Sequence, residues 1–198
     1  MPQVAPKPDP TTGEPRPPRA PVLKEDHHEK SRVDPTKANY PPAPEGEGPV
    51  LEWYQSSARD FFLMGVYASI ALLLFAILRD WGFGWMSTWW MWLIILAPIP
   101  VFSLVVRFQQ RVGISAGAEW FASDRTTYVR VYELAEVKLE GTYGGWDLSL
   151  EDRVGGRALV NLRDVQWDRD LWDLVYNGIV YSVQQGAKTN ARADSMFR

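Results

Sequence analysis

Cysteine is absent from all 198 residues, and histidine occurs only twice, side by side at His27 and His28. The first absence excludes disulfides, thiol nucleophiles and cysteine-bound metals. The second leaves no imidazole outside Glu25-Asp26-His27-His28-Glu29, so the later chain holds no Ser–His system and no zinc set of the usual spacing. A metal at His27 and His28 would have no surrounding fold to organise it. No Gly-x-x-x-x-Gly-Lys run is present to cradle a phosphate. Positive charge is not in excess either: 21 basic residues face 24 acidic ones, a formal net charge of −3, so no nucleic-acid partner is expected. Carboxylates remain as acid–base groups, and Asp147, Glu151 and Asp152 share a strand and its end. An ordinary exposed strand face carries the same residues. No enzymatic activity, cofactor or metal is therefore expected.

Charge is missing altogether from two stretches. Phe61–Leu78 is apolar over 18 residues, roughly 27 Å as a helix, close to the ~30 Å hydrocarbon core of a bilayer. Arg59-Asp60 and Arg79-Asp80 bracket it. Trp85–Val106 is equally free of charge and closes on Arg107. The spacing predicts a membrane hairpin over 51–112, with spans at 61–78 and 85–106 and a turn at Arg79–Gly84. Trp81, Trp85, Trp89, Trp90 and Trp92 crowd one boundary, where indoles suit the headgroup zone as interface anchors. Pro98 and Pro100 predict a kink in the second span, because neither offers an N–H. Gly65 and Ser69, four apart, allow close helix approach. Neither span holds an ionisable residue, which argues against a self-contained pump. Arg59, Arg107 and Arg111 at the open end, against Arg79 in the turn, favour a multi-pass cell-membrane protein with both termini cytoplasmic. Residues 1–50 hold no apolar run, so the first span is expected to act as an uncleaved anchor.

Large apolar residues are scarce in residues 1–50, which hold 13 of the 15 prolines. Such a segment buries too little surface to offset its ordering entropy and reads as a disordered tail. Within it Pro15, Pro17, Pro18 and Pro21 suit polyproline II for an aromatic groove, or a solvated spacer. Leu51–Asp60 reads as a short interfacial helix.

From Gly117 the pattern changes to one of strands. Glu119-Trp120-Phe121 reads as a short strand, and Thr126–Glu140 alternates with a period of two, as one strand or two in succession. Trp146, Leu148 and Leu150 form another, and Ala158, Val160 and Leu162 the last, with glycine turns between. Asp168 is placed to cap a helix from Arg169 to Gln185, and Leu171, Leu174, Val175, Gly178, Ile179, Ser182 and Val183 fall on one face. The expectation over 113–186 is a small α+β domain, an antiparallel sheet of about four strands closed by a C-terminal helix. Residues 187–198 are expected to be a flexible tail.

The runs Val131-Tyr132-Glu133-Leu134, Leu162-Arg163-Asp164-Val165-Gln166 and Leu171-Trp172-Asp173-Leu174-Val175-Tyr176-Asn177-Gly178-Ile179, following two spans, resemble a group of actinobacterial two-span membrane proteins with a pleckstrin-homology-like (PH-like) cytoplasmic domain. The resemblance covers about Ala118–Ala193 and implies no catalytic residues. The full pleckstrin-homology fold has seven strands before its helix, more than the sequence pattern supplies here. Arg125, Arg153 and Arg157 flank turns and offer donors for a lipid headgroup. Residues 107–198 balance 12 basic against 13 acidic groups, so any such grip would be local. The expected function is a non-enzymatic, membrane-anchored interaction or scaffold protein. An accessory subunit of a transport or channel complex is the alternative. The expected partners are the lipid bilayer, a membrane or cytoplasmic protein and a second copy of the chain.

Overall fold

A computed structural model describes residues 6–21, 40–55, 58–80, 84–109, 113–142 and 145–197. The chain forms two compact units, one of residues 57–111 and one of residues 1–56 with 112–198.

In the first unit the uncharged run from Phe61 folds as α1 (Ala58–Asp80), 23 residues long. It is the one described helix long and apolar enough to cross a membrane. The second apolar run is not a single span. It comprises a 3-10 turn at Gly84–Ser87, then α2 (Trp89–Leu96) and α3 (Pro98–Gln109). Ala97 stays helical in φ and ψ and its N–H still reaches the Leu93 carbonyl at 2.9 Å. Pro98 and Pro100 bring no N–H, however, so the helical ladder is interrupted at the carbonyls four residues back. Of the two expected spans, the second with a kink at Pro98 and Pro100, one is thus a helix of span length and the other is divided at the prolines. Its longest apolar piece, Trp89–Val105, is below span length.

Gly65 lies where α1 meets α3. A Cβ there would stand 3.1 Å from the Pro98 carbonyl oxygen and 3.2 Å from both the Ile99 Cα and the Phe102 Cβ. Gly65→Ala then needs shifts of tenths of an ångström. Gly65→Leu is expected to force the helices apart and cost about 1–3 kcal/mol, read as a lower thermal midpoint in detergent.

The second unit holds two four-stranded sheets. In the first, β1 (Glu52–Tyr54), β2 (Ile114–Ala116), β3 (Trp120–Ala122) and β4 (Tyr128–Arg130) lie in sequence order, all antiparallel. Tyr54 pairs with Ile114, so residues 55–113 form an insertion between neighbouring strands. Leu51–Asp60 is therefore not an interfacial helix: Glu52–Tyr54 is a strand, and α1 starts at Ala58. The second sheet runs β7-β6-β5-β8, with β5 (Leu134–Thr142), β6 (Gly145–Asp152), β7 (Arg157–Asn161) and β8 (Lys188–Thr189). Leu139 faces Leu148, and Leu148 faces Val160. This register puts Leu139, Leu148, Leu150, Ala158 and Val160 into one core and turns Glu136, Lys138, Ser149 and Arg157 outward. Among the described residues, 113–186 hold six strands in place of the four expected, and β1 and β8 join them from outside that range. Thr126–Glu140 divides into β4 and β5 around a turn at Val131–Glu133.

A short helix, α4 (Leu162–Trp167), precedes α5 (Arg169–Gln184), whose apolar face completes the core. Asp168 caps α5 as its sequence position implies, accepting the N–H groups of Asp170 and Leu171 at 3.1 Å each. Asp168→Ala is expected to remove about 1–2 kcal/mol of stability, with Asp168→Asn retaining most of it, by thermal or urea unfolding. Residues 187–198 are not a loose tail. They form β8 and α6 (Ala191–Phe197), with Ala193 and Phe197 in the core. Asn190 fastens them, accepting the Leu139 N–H at 3.3 Å and donating to the Leu139 carbonyl at 3.0 Å.

The largest departure from expectation lies at the other terminus. Residues 6–21 and 40–50 were expected to be disordered; instead they dress the second unit. Trp120 donates its indole N–H to the Gly48 carbonyl at 2.9 Å, and the buried Ser115 hydroxyl donates to the Pro41 carbonyl at 2.9 Å. Glu47 pairs with Arg130 at 2.7 Å, and Tyr40 stacks on Trp53. Lys7 reaches Glu119 at 3.1 Å. Prolines carry little chain entropy to lose, and their carbonyls find donors on the domain, so the segment orders without a core of its own. The pair His27 and His28 lies outside the described residues.

Candidate functional site

Helix α5 presents two faces. Its apolar stripe is buried, while Asp170, Asp173 and Asn177 follow at three- and four-residue spacing along one edge, with Arg169 four before Asp173, as neighbours on a helix surface. Residues Pro18–Pro21 lie along that edge. Arg19 donates to Asp170 and to Asp173, at 2.8 Å each. The second oxygen of Asp173 accepts the Ala20 N–H at 2.8 Å, and Arg169 donates to the Ala20 carbonyl at 2.6 Å. Trp172 gives its indole N–H to the Pro21 carbonyl at 2.8 Å. Asn177 donates to the Pro18 carbonyl at 3.0 Å and to the Asp173 carbonyl of its own helix at 2.7 Å. The Ala20 methyl belongs to the core, 2% exposed, while the Arg19 side chain is 65% exposed. The hydrogen bonds and nearby charges of Asp170 and Asp173 raise the Arg19 pKa above the ordinary arginine value, holding it charged.

This arrangement holds residues 18–21 of the same chain at four main-chain groups and one cation. The sequence offers Pro18 and Pro21 as part of a polyproline II segment for a partner's aromatic groove or of a solvated spacer. It also sets Asp170 in the first turn of α5. It does not join the two, because they stand some 150 positions apart and nothing local pairs them.

The turn arginines expected to hold a headgroup are placed as follows. Arg125 lies in the β3–β4 turn, where Asp124 accepts the N–H groups of Thr126 and Thr127. Burial pushes the Asp124 pKa up, but those bonds outweigh it and leave it lowered. Arg153 and Arg157 flank the β6–β7 turn, closed by Asp152 on the N–H groups of Val154 and Gly156 at 2.9 and 2.8 Å. That turn lies alongside the start of β4, since a Cβ on Gly156 would overlap the Tyr128 carbonyl. Arg157 is already paired with Glu151 at 3.1 Å, and Arg125 also engages a neighbour. Val154 stands 76% exposed at the turn tip. The carboxylates considered for acid–base work are likewise engaged. Asp147 accepts from Asn161 at 3.0 Å, Glu151 holds Arg157, and Asp152 builds the turn. Among the described residues no group of three His, Asp or Glu is disposed to hold a metal. A shallow cleft of about 160 Å³ is lined by Tyr54, Ile114, Ser123, Leu159, Val160, Asn161 and Asp164. Burial, with Asp147 nearby, raises the Asp164 pKa against the opposing charge of Arg163.

In the first unit the tryptophans divide. Trp85 is buried with Ala76 and Ile95, and its ring lies 5.3 Å from that of Trp92. It is a packing residue rather than a surface anchor. Trp89, Trp90 and Trp92 are exposed, and Trp81 lies outside the described residues. Pro98 opens α3 and Pro100 lies in its first turn. No protein-family model, curated protein or solved structure matches the chain.

Proposed function

We propose that the chain is a non-enzymatic, membrane-anchored interaction protein. Residues 58–109 act as a helical anchor in the cell membrane, with both termini cytoplasmic, and the strand-rich unit is a PH-like domain that recruits a protein partner. One observation carries the reading. Only 17% of the Phe62–Arg79 window of α1 is buried, and Phe62, Tyr67, Ile70, Leu74, Phe75 and Leu78 are exposed. A soluble core helix would hide these side chains; a lipid-facing one displays them. Support for the PH-like part comes from the count of seven strands before α5, in antiparallel sheets closed by that helix. The insertion of the anchor between β1 and β2 brings the chain back to the strand beside the one it left.

A chain without cysteine makes the test direct. Single cysteines are introduced as Glu45→Cys, Gly82→Cys and Ser195→Cys in the full-length protein and probed in intact bacterial cells with a membrane-impermeant maleimide. Labelling at position 82 alone is the expected result. Labelling at 45 or 195, or release of the whole protein from membranes by carbonate, would overturn the anchor and its orientation. Capture from native membranes by crosslinking tests the recruiting role, which repeated capture of no protein except the chain itself would overturn. A multi-span partner in that capture would replace it with the accessory-subunit role.

A further inference from the structure

We infer that the outward edge of α5 is a peptide-binding site for an extended, proline-flanked, arginine-bearing segment of another protein. Residues Pro18–Pro21 are its resident competitor. The inference deepens the interaction reading above and rests on it.

The contacts are those of a receptor for an extended peptide. The Pro18 carbonyl, both main-chain groups of Ala20 and the Pro21 carbonyl are each met by a side chain of one helix. A single small side chain enters the core, and a single cation is forked between two carboxylates. Prolines on either side of Arg19-Ala20 restrict the backbone before it binds, which lowers the ordering cost. Helix α5 therefore selects for a small residue preceded by arginine and followed by proline.

Exchange is feasible because residues 14–21, a strap along α5, hide little. Of residues 14–21 only Ala20 is buried, and the rest of that run is exposed or half-exposed. The apolar face of α5 packs against β5 in the core of its own unit, and the hydrogen-bonding edge of Asp170, Asp173 and Asn177 can be met by water when residues 18–21 leave. Eighteen residues separate Pro21 from Tyr40. That length spans up to about 60 Å when extended, enough for residues 18–21 to leave α5, while release of the whole segment also breaks the Arg16–Glu52 pair on β1, 3.1 Å. Tethering gives the resident segment a high local concentration, so an incoming segment binds in proportion to the fraction of open sites.

The test uses the full chain in lipid nanodiscs, with a protease site inserted between Pro21 and Tyr40. After cutting and a high-salt wash, a labelled peptide of the sequence Arg16–Pro21 is titrated by fluorescence anisotropy. Saturable binding to the cut protein is expected, weaker by about tenfold or more for the uncut chain. Reversing the peptide charge, Arg19→Glu, is expected to weaken binding by about tenfold or more, and Asp170→Arg in the protein to restore part of it. Arg19→Glu in the uncut chain should open the site to the unmodified peptide without cutting. No saturable binding to a cut protein whose thermal midpoint is unchanged would overturn the inference. So would binding indifferent to the charge reversal, or retention of the N-terminal fragment against about 100-fold peptide excess. Captured membrane partners that persist while the peptide fails would sink the site and spare the anchored interaction protein. Carbonate release would do the reverse.

Discussion

Replacing Phe197 by alanine is expected to destabilise the strand-rich unit by about 3–5 kcal/mol, the usual cost of truncating a fully buried phenylalanine. Phe197 is 1% exposed, and its ring lies 5.6 Å from that of Tyr176, which in turn lies 5.3 Å from Trp172. The three rings join α6 to α5, and the truncation leaves a void against both. Small domains hold about 5–15 kcal/mol in all, so the change removes a large share. The thermal midpoint in detergent, followed by tryptophan fluorescence, should fall by about 10 °C or more. Arg192→Ala, which loses only an exposed guanidinium 4.3 Å from the Trp146 ring, is the control and should cost under about 1 kcal/mol. An unchanged midpoint for Phe197→Ala would mean that residues 187–197 are the loose tail their sequence suggests.

That contrast marks what a sequence makes legible. Helix α5 could be read in advance, because a capping aspartate and a long apolar stripe at helical spacing are both local signals. Strands β6 and β7 announced themselves by alternation. The two three-residue strands β1 and β2 did not. Ile114–Ala116 is buried throughout and shows no period of two, and its partner lies some 60 positions earlier. Phe197 was invisible for a related reason, since a seven-residue helix whose two large apolar side chains, Met196 and Phe197, are adjacent carries almost no periodicity. The strap failed on composition. Proline-rich, charged sequence normally stays solvated, and only the complementary edge of α5, remote in sequence, explains its order. The tryptophans show the same limit at one residue. Trp85 and Trp89 are alike in composition and neighbourhood, yet one is buried and the other faces outward, a difference set by how α1 packs on the turn before α2.

Gly178→Val is expected to prevent stable folding of the strand-rich unit, and Gly178→Ala to weaken it measurably. A Cβ at this position would lie 2.5 Å from the Val131 Cγ2, 2.6 Å from its Cβ and 3.3 Å from its carbonyl carbon. Valine is branched at Cβ and has no flexible end to swing aside. Alanine improves helix propensity by about 1 kcal/mol, whereas forcing a methyl into a packed interface costs about 1–3 kcal/mol, so overpacking wins. The usual escape, a small outward shift of α5, is closed by Ser182. Its hydroxyl donates to the Val131 carbonyl at 2.8 Å and accepts the Leu134 N–H at 3.1 Å, both inside the core. Moving the helix to relieve the clash would strand these buried groups, at roughly 1–3 kcal/mol for each left unsatisfied. Val131→Ala should rescue Gly178→Ala only in part, because it removes the Cγ2 contact and leaves the Cβ contact in place. In a double-mutant cycle followed by urea unfolding, the two substitutions together should cost less than their sum by about 0.5–2 kcal/mol. Strict additivity would show that the helix does ride over the β4–β5 turn freely, and that the close approach at Gly178 places no constraint on the fold.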